Sequence, residues 1–250
     1  MLSIIRERLR QGHRTAKFPK VEPTLPQRFR GLPRLHENLT PEVIGAAVAS
    51  CPFTALSNNA GELRIDLGRC LFCADCPAIA HGALSFSNDY RLASNLREGL
   101  LLDDEAYRLA DKLGERMLKL FGRSLKLRQV SAGGCNACEA DINVLGTLVF
   151  DLGRFGIQFV ASPRHADGML VTGPVTENMK SALLETYAAI PEPKLVIASG
   201  ACSIAGGPFC SSPEVNQGVG ELLPVDLYIP GCPPHPYTVL DGLLRLLGKR

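Results

Sequence analysis

The chain has 250 residues, 46% hydrophobic and 21% charged, ordinary proportions for a globular protein of one large domain or of a medium and a small one. No stretch approaches the roughly eighteen consecutive apolar residues of a membrane span, and the N-terminus lacks the apolar core of a secretion signal, so a cytoplasmic protein is expected. The net charge of +2 conceals an asymmetry: residues 1–36 hold nine Lys/Arg against Glu7 and Glu22, which leaves 18 basic against 23 acidic residues in the remainder.

The first ten residues, MLSIIRERLR, have the pattern of a short amphipathic helix with Leu2, Ile5 and Leu9 on one side, suited to a partner or a membrane surface. The rest of residues 1–38 is rich in Pro and aperiodic. It reads as a basic extended arm, either docked on another surface or solvated. Nucleic acid is an unsupported partner for it, because no aromatic-interleaved binding motif accompanies the charge.

Residues 39–92 contain Cys51 followed by Pro52, then CLFCADCP with Cys70, Cys73 and Cys76. Without a secretion signal a disulfide framework is not expected, and metal binding or catalysis is the better default. Three cysteines at Cys-x-x-Cys-x-x-Cys spacing suit a cubane iron–sulfur cluster, with a distant cysteine as fourth ligand. A structural zinc is the competing reading. The run resembles the bacterial ferredoxin pattern, and on that resemblance Cys51 is the remote fourth ligand. A second complete run would need a cysteine where Ala80 stands, so one [4Fe–4S] cluster is implied. HGALSF (81–86) resembles the strand that closes a ferredoxin-like unit.

Residues 93–124 read as a helical linker, with DDEAYRLADKLGERMLKLFG (103–122) as one amphipathic helix started by Asp103 or Asp104. Leu109, Leu113, Met117, Leu120 and Phe121 form its stripe and Gly122 stops it. That stripe is expected to pack one module on the other.

From 125 onward, short apolar runs at 125–130, 156–160, 168–172, 194–199 and 225–229 alternate with helical patterns near 139–152, 175–189 and 236–248. Strands alternating with helices argue for a parallel sheet. Cys135, Cys138, Cys202 and Cys232 all fall just beyond strand ends, where open α/β sheets bind ligands. The pair Cys135–Cys138 could by itself be a redox couple, half a zinc site or half a cluster site. Four thiols gathered at one sheet edge make it half of a four-thiolate site. Gly133, Gly134, Gly200 and Gly231 are expected to turn backbone N–H groups toward the sulfurs. Cys210 is left over as a free thiol.

GGCNACEADI, SPRHADGMLVTGPVT, SGACSIAGGPF and PVDLYIPGCPP together resemble the 20 kDa subunit family of respiratory complex I and the small subunits of membrane-bound [NiFe] hydrogenases, over about residues 125–245. Complex I members carry two adjacent cysteines where this chain has Cys-Asn-Ala-Cys, so the resemblance is to the formate hydrogenlyase and hydrogenase-4 branch. It implies an α/β fold, with a flavodoxin-like parallel sheet domain and a smaller N-terminal ferredoxin-like α+β domain. It also implies a proximal [4Fe–4S] cluster on Cys135, Cys138, Cys202 and Cys232, which with the one that the ferredoxin resemblance implies on Cys51, Cys70, Cys73 and Cys76 makes two [4Fe–4S] clusters. A fused ferredoxin-like segment departs from the formate hydrogenlyase arrangement, where polyferredoxin chains are separate subunits.

The implied function is electron transfer within a membrane-associated hydrogenase complex. The partners are a [NiFe] large subunit, other iron–sulfur subunits or ferredoxin, and membrane subunits that hold this chain at the inner face of the membrane. The alternative is a complex I-type quinone oxidoreductase; a zinc-bound scaffold is a third reading. Glu139 is a candidate proton relay, or else stabilises a helix N-terminus. Arg164 and His165 are candidates for tuning the proximal cluster, as Gly134, Gly200 and Gly231 are; loop anchoring by Arg164 and Asp167 is the plain alternative.

Overall fold

The computed structural model describes residues 2–36, 39–80, 83–102 and 107–250. The chain opens with α1 (Leu2–Gln11) and continues through β1 (Pro33–Leu35), α2 (Pro41–Ala49), β2 (Leu56–Asn59), β3 (Glu62–Asp66), α3 (Asp75–Ile79), β4 (Leu84–Phe86) and β5 (Leu101–Leu102). Then follow α4 (Glu115–Phe121), β6 (Leu125–Ser131), α5 (Ala137–Val144), β7 (Ile157–Phe159), β8 (Gly168–Thr172), α6 (Glu177–Ala189), β9 (Leu195–Ser199), α7 (Ala201–Ala205), β10 (Leu227–Ile229) and α8 (Pro236–Leu246).

β6 to β10 form one parallel sheet in the order β10-β9-β8-β6-β7. Counted from the first strand of the sheet this is 2-1-3-4-5, the flavodoxin-like doubly wound order, with its switch point between β6 and β8. Every residue of β8 and β9 is buried, as strands covered on both faces must be. Neighbouring residues therefore serve opposite cores. Met169 and Val196 join one apolar cluster with Leu183 and Ile204; Leu170 and Ile197 join another with Ile142 and Leu243.

The N-terminal part is α+β. β2, β3 and β5 make a three-stranded antiparallel sheet, and β1 pairs antiparallel with β4. Its core is continuous with the first face of the parallel sheet, since Ile44, Ile65, Leu67 and Leu100 belong to the same cluster as Met169 and Ile204. At Gly68 the approach is so close that a Cβ would stand 2.7 Å from the Ile204 side chain. The β4 strand falls where HGALSF was expected, although His81 and Gly82 lie outside the described residues.

Three expectations are corrected. Residues 107–114 are not helical, and among the described residues of the expected 103–122 helix only Glu115–Phe121 is helical; residues 103–106, Asp103 and Asp104 among them, lie outside the described residues. The reason is hydrogen bonding elsewhere: the N–H groups of Arg108, Ala110 and Leu113 donate to Gly99, Ala93 and Leu246. Phe121 and Met117 consequently pack on the parallel-sheet domain, and the two modules meet by direct contact rather than through a helical stripe.

The arm, read as docked on another surface or solvated, packs on the body of the same chain. Phe18 is buried among Tyr90, Tyr237 and Arg250, and Glu22 takes hydrogen bonds from Tyr90 (2.5 Å) and Arg250 (2.8 Å). The helix expected to reach 152 stops at Val144, where Leu145 and Gly146 bond three residues back and tighten the last turn.

Candidate iron–sulfur sites

The N-terminal thiols come from three places. Cys51 follows the C-terminus of α2, Cys70 and Cys73 lie in the loop after β3, and Cys76 is on α3. All four border one small enclosed space. The loop is wound tightly: Phe72 and Ala74, on either side of Cys73, both have positive φ (54° and 68°), a strained conformation for residues with a Cβ. Asp66 organises its entry. Its side chain accepts from the Gly68 N–H at 2.8 Å, its carbonyl accepts from the Cys70 N–H at 3.0 Å, and Arg97 clamps both carboxylate oxygens at 2.9 and 2.6 Å. Backbone N–H groups of Ala55 and Phe72 donate to the sulfurs of Cys51 and Cys70 at 3.4 Å.

The second set lies where the sheet geometry requires. β6 leads to Cys135 and Cys138, the latter on α5; β9 leads to Cys202 on α7; β10 leads to Cys232. Cys202 is buried, Cys138 half-buried, and Cys135 and Cys232 exposed. Gly200 has φ +95° and ψ 153°, a region only glycine tolerates well, and a Cβ there would lie 2.6 Å from the Cys138 sulfur. A Cβ on Gly207 would lie 2.7 Å from the Cys202 sulfur. These glycines leave room for sulfur. The expectation that the Gly200 N–H faces a sulfur is not met, because that group donates to the Ile229 carbonyl at 2.8 Å. Gly134 packs its backbone on Gly173, and the Gly231 carbonyl accepts from the Ala201 N–H.

The thiols of each set perturb one another. Burial, then the charges of Cys76, Cys51 and Cys73, push Cys70 up to about 12; burial, then Cys73 and Cys51, push Cys76 up to about 11. In the second set burial, then Cys232 and Cys135, push Cys202 up to about 12, and burial with Cys202, Glu139, Cys232 and Cys135 raises Cys138 further. Within each set the thiols thus lie within electrostatic reach of one another. The raised thiols, Cys70, Cys76, Cys138 and Cys202 among them, hold their protons at neutral pH, and metal binding would have to displace them. Among the described residues, no three His, Cys, Asp or Glu side chains converge as ligands of one ion. The donor chemistry, four soft sulfurs per group, fits iron–sulfur ligation, in which each iron of a cubane takes a single thiolate. Cys210 is half-buried and sits outside both groups, its carbonyl bonded by Gln217.

Glu139 is 6% exposed, in the first turn of α5. Burial alone would raise its pKa, but hydroxyl donation from Ser131 (2.6 Å) and Thr172 (2.5 Å), with its own backbone N–H, holds it below the usual carboxylate range. Hydrogen bonds to a charged group contribute about 1.5–3 kcal/mol each, enough for two to offset the desolvation. Ser131 and Thr172 carried no signal in the sequence, being the last residues of neighbouring strands. Asp66 did: Asp-Leu-Gly immediately before a cysteine run is an Asx-turn pattern. Arg164 and His165 are exposed on the turn before β8, whose first residue pairs with Leu127, well before the cysteine-bearing ends. Asp167 anchors that turn by accepting from the Lys126 N–H at 2.7 Å.

Comparison with known proteins bears on the C-terminal half of the chain. Residues 135–246 match the family model described as NADH ubiquinone oxidoreductase, 20 Kd subunit. The chain is 41% identical over 147 residues to the probable membrane-bound hydrogenase subunit mbhJ of Pyrococcus furiosus, covering 59% of this chain and 87% of that protein. The chain belongs to this family. A second member, formate hydrogenlyase subunit 7 of Escherichia coli strain K12, is 46% identical over 132 residues, 53% of this chain and 52% of its own length. An NADH-quinone oxidoreductase subunit of Heliobacterium modesticaldum is 43% identical over 119 residues, 47% of this chain and 68% of its own. The 20 kDa-type match begins at Cys135, so all four thiols of its set lie inside it and the N-terminal set lies outside.

Proposed function

We propose that the chain is an iron–sulfur electron-transfer subunit of a membrane-associated hydrogenase-type complex, relaying electrons between a ferredoxin-like donor centre and the nickel–iron site of a separate large subunit. The observation that carries this reading is the pairing of two four-thiol groups, one at the N-terminal loop and one at the cysteine-bearing edge of the parallel sheet, with Cys73 and Cys232 lining a common cleft. Cys51, Cys70, Cys73 and Cys76 would hold one [4Fe–4S] cluster, and Cys135, Cys138, Cys202 and Cys232 the other. When bound, such clusters accept and release single electrons.

The chain's own residues supply the rest. Gly200 and Gly207 leave room beside the sulfurs. The Ala55 and Phe72 N–H groups favour added negative charge at Cys51 and Cys70, the effect that outer hydrogen bonds have on a metal centre. Glu139 is ionised at neutral pH. As a proton relay it would take the proton on Oε2, because Oε1 already accepts two hydroxyls. Arg164 and His165, exposed on their turn, would act on a centre only through a partner surface.

Sequence identity does not separate the branches, since hydrogenase and quinone-oxidoreductase relatives match at similar levels. The spacing Cys135-Asn136-Ala137-Cys138 favours the hydrogenase branch. Asn136 has φ +70° and turns the chain so that Ala137 opens α5 and Cys138 follows inside it. The alternative is an electron-transfer subunit of a complex I-type quinone oxidoreductase, and the copurifying large subunit discriminates: a hydrogenase partner carries two Cys-x-x-Cys nickel motifs. The direct test is iron, sulfide, zinc and nickel analysis with EPR on anaerobically purified protein, alone and with its partners. About eight iron and eight sulfide per chain, with nickel only alongside a large subunit, is the expected result. Zinc in place of iron would overturn the reading.

A further inference from the structure

We propose that α1 lies on an anionic bilayer surface, so that this chain touches lipid itself and is not held at the membrane by other subunits alone. No residue of α1 is buried, although Leu2, Ile5 and Leu9 are 84%, 56% and 79% exposed. Spaced three and four apart, they share one face of the helix. Arg6 and Arg8 fall on the two flanks of that stripe. The one acid, Glu7, faces away and is engaged by Gln11 (2.9 Å) and Arg10 (3.3 Å). Ile4 lies off the stripe beyond Arg8.

An apolar stripe edged by guanidinium groups matches the depth profile of an anionic leaflet, with acyl chains below and phosphates level with the edges. A groove on an acidic protein would want the cations wherever its own carboxylates lie, with no reason for them to border the stripe. A second observation extends the surface. The segment leading out of α1 is tied to the body where the Ala16 N–H donates to the Val149 carbonyl at 2.8 Å, and there Leu148 and Val149 are 69% and 47% exposed. Arg14 and Lys17 flank that tie in sequence. Thus the segment leaving α1 is tied beside a second exposed apolar patch, with Arg14 and Lys17 close to it in sequence.

The inference does not depend on what the cysteines bind, so it can fail without the electron-transfer reading failing. The experiment is co-sedimentation of the purified full-length chain with vesicles of phosphatidylcholine, alone or with about a third phosphatidylglycerol, at low and high salt. Binding to the anionic vesicles that weakens with salt is expected. The triple variant Leu2→Asp, Ile5→Asp, Leu9→Asp should reduce it by about tenfold or more, and Arg6→Gln with Arg8→Gln should remove the preference for phosphatidylglycerol. Because α1 buries nothing, an unchanged melting temperature in the variants checks that the body remains folded. Equal binding by wild type and triple variant, or no binding by wild type, overturns the proposal. If wild type ignores vesicles while the triple variant no longer copurifies with membrane subunits, α1 is a protein-docking helix instead.

Discussion

Cys73 and Cys232, one from each four-thiol group, line a single cleft of about 480 Å³, together with Phe72, His235 and the Pro230–Pro234 loop. The Cys232 residue is exposed, but its sulfur is partly desolvated by the cleft walls, and that, then Cys135 and then Cys73, push the thiol up; Cys73 and Cys232 lie within electrostatic reach of each other. Arg30, from the N-terminal arm, closes one side by donating to the Phe72 carbonyl at 2.8 Å.

Separate groups sharing a cleft should load independently and interact magnetically. Cys73→Ser is expected to lower the iron content by about half while the signal of the second centre persists, and Cys232→Ser to do the reverse. In the wild type, reduction of both centres should broaden their EPR signals, and either variant should sharpen the one that remains. Loss of all iron from either single substitution would show that the two groups form one cooperative site.

Gly200 is the most sensitive backbone position beside the second group. Gly200→Ala would place a non-glycine residue at φ +95°, ψ 153° and a methyl group 2.6 Å from the Cys138 sulfur. Backbone strain of this kind costs about 1–3 kcal/mol. The variant should therefore melt lower and lose the iron of the second group selectively, leaving the N-terminal centre intact. Calorimetry and iron analysis on the same preparation test both parts.

The parallel-sheet domain was legible because its signals are local. Buried strands such as Gly168–Thr172 are short apolar runs, and the cysteine positions just after Ser131, Ser199 and Ile229 follow from chain order alone. Residues 107–114 were not legible, since their apolar spacing suits a helix while their N–H groups find carbonyls far away in sequence, including Leu246. Tertiary hydrogen bonding overrode periodicity. The burial of Phe18 against Tyr90 and Tyr237 is of the same kind: a lone aromatic in a basic, proline-rich arm gives no pattern to read. In the candidate sites, the grouping of the cysteines follows from their spacing and chain order. The partners of Glu139 depend on β6 and β8 being neighbours, which requires the sheet order.

Arg97 should support the N-terminal group without touching it. It bridges both Asp66 oxygens, and Asp66 in turn fixes Gly68 and Cys70. Arg97→Met leaves that carboxylate without its main partner. A partly exposed, bidentate pair is expected to contribute about 1 kcal/mol. The functional consequence is sharper: slower or incomplete loading of the N-terminal centre in reconstitution with iron and sulfide, and normal loading of the second. Equal loading of both would assign Arg97 to stability alone.

Asp89 gives the chain a predictable acid dependence away from both cysteine groups. Its carboxylate meets Arg91 at 2.7 and 2.6 Å and accepts the Arg91 backbone N–H at 3.0 Å. Burial acts to raise its pKa, but the Arg91 hydrogen bonds and charge outweigh it and hold the group below its ordinary value. The unfolded chain therefore binds this proton more readily than the folded one. Stability from Asp89 is complete above its unfolded pKa of about 3.9, and is lost as the pH falls through the lower native value. Asp89→Asn should cost about 1 kcal/mol at neutral pH, the modest figure set by partial exposure of the pair. The wild-type and variant urea midpoints should converge as the solution is acidified below pH about 4. A gap of constant size across that range would mean that the variant loses side-chain packing or neutral hydrogen bonding to Arg91, and not the carboxylate charge.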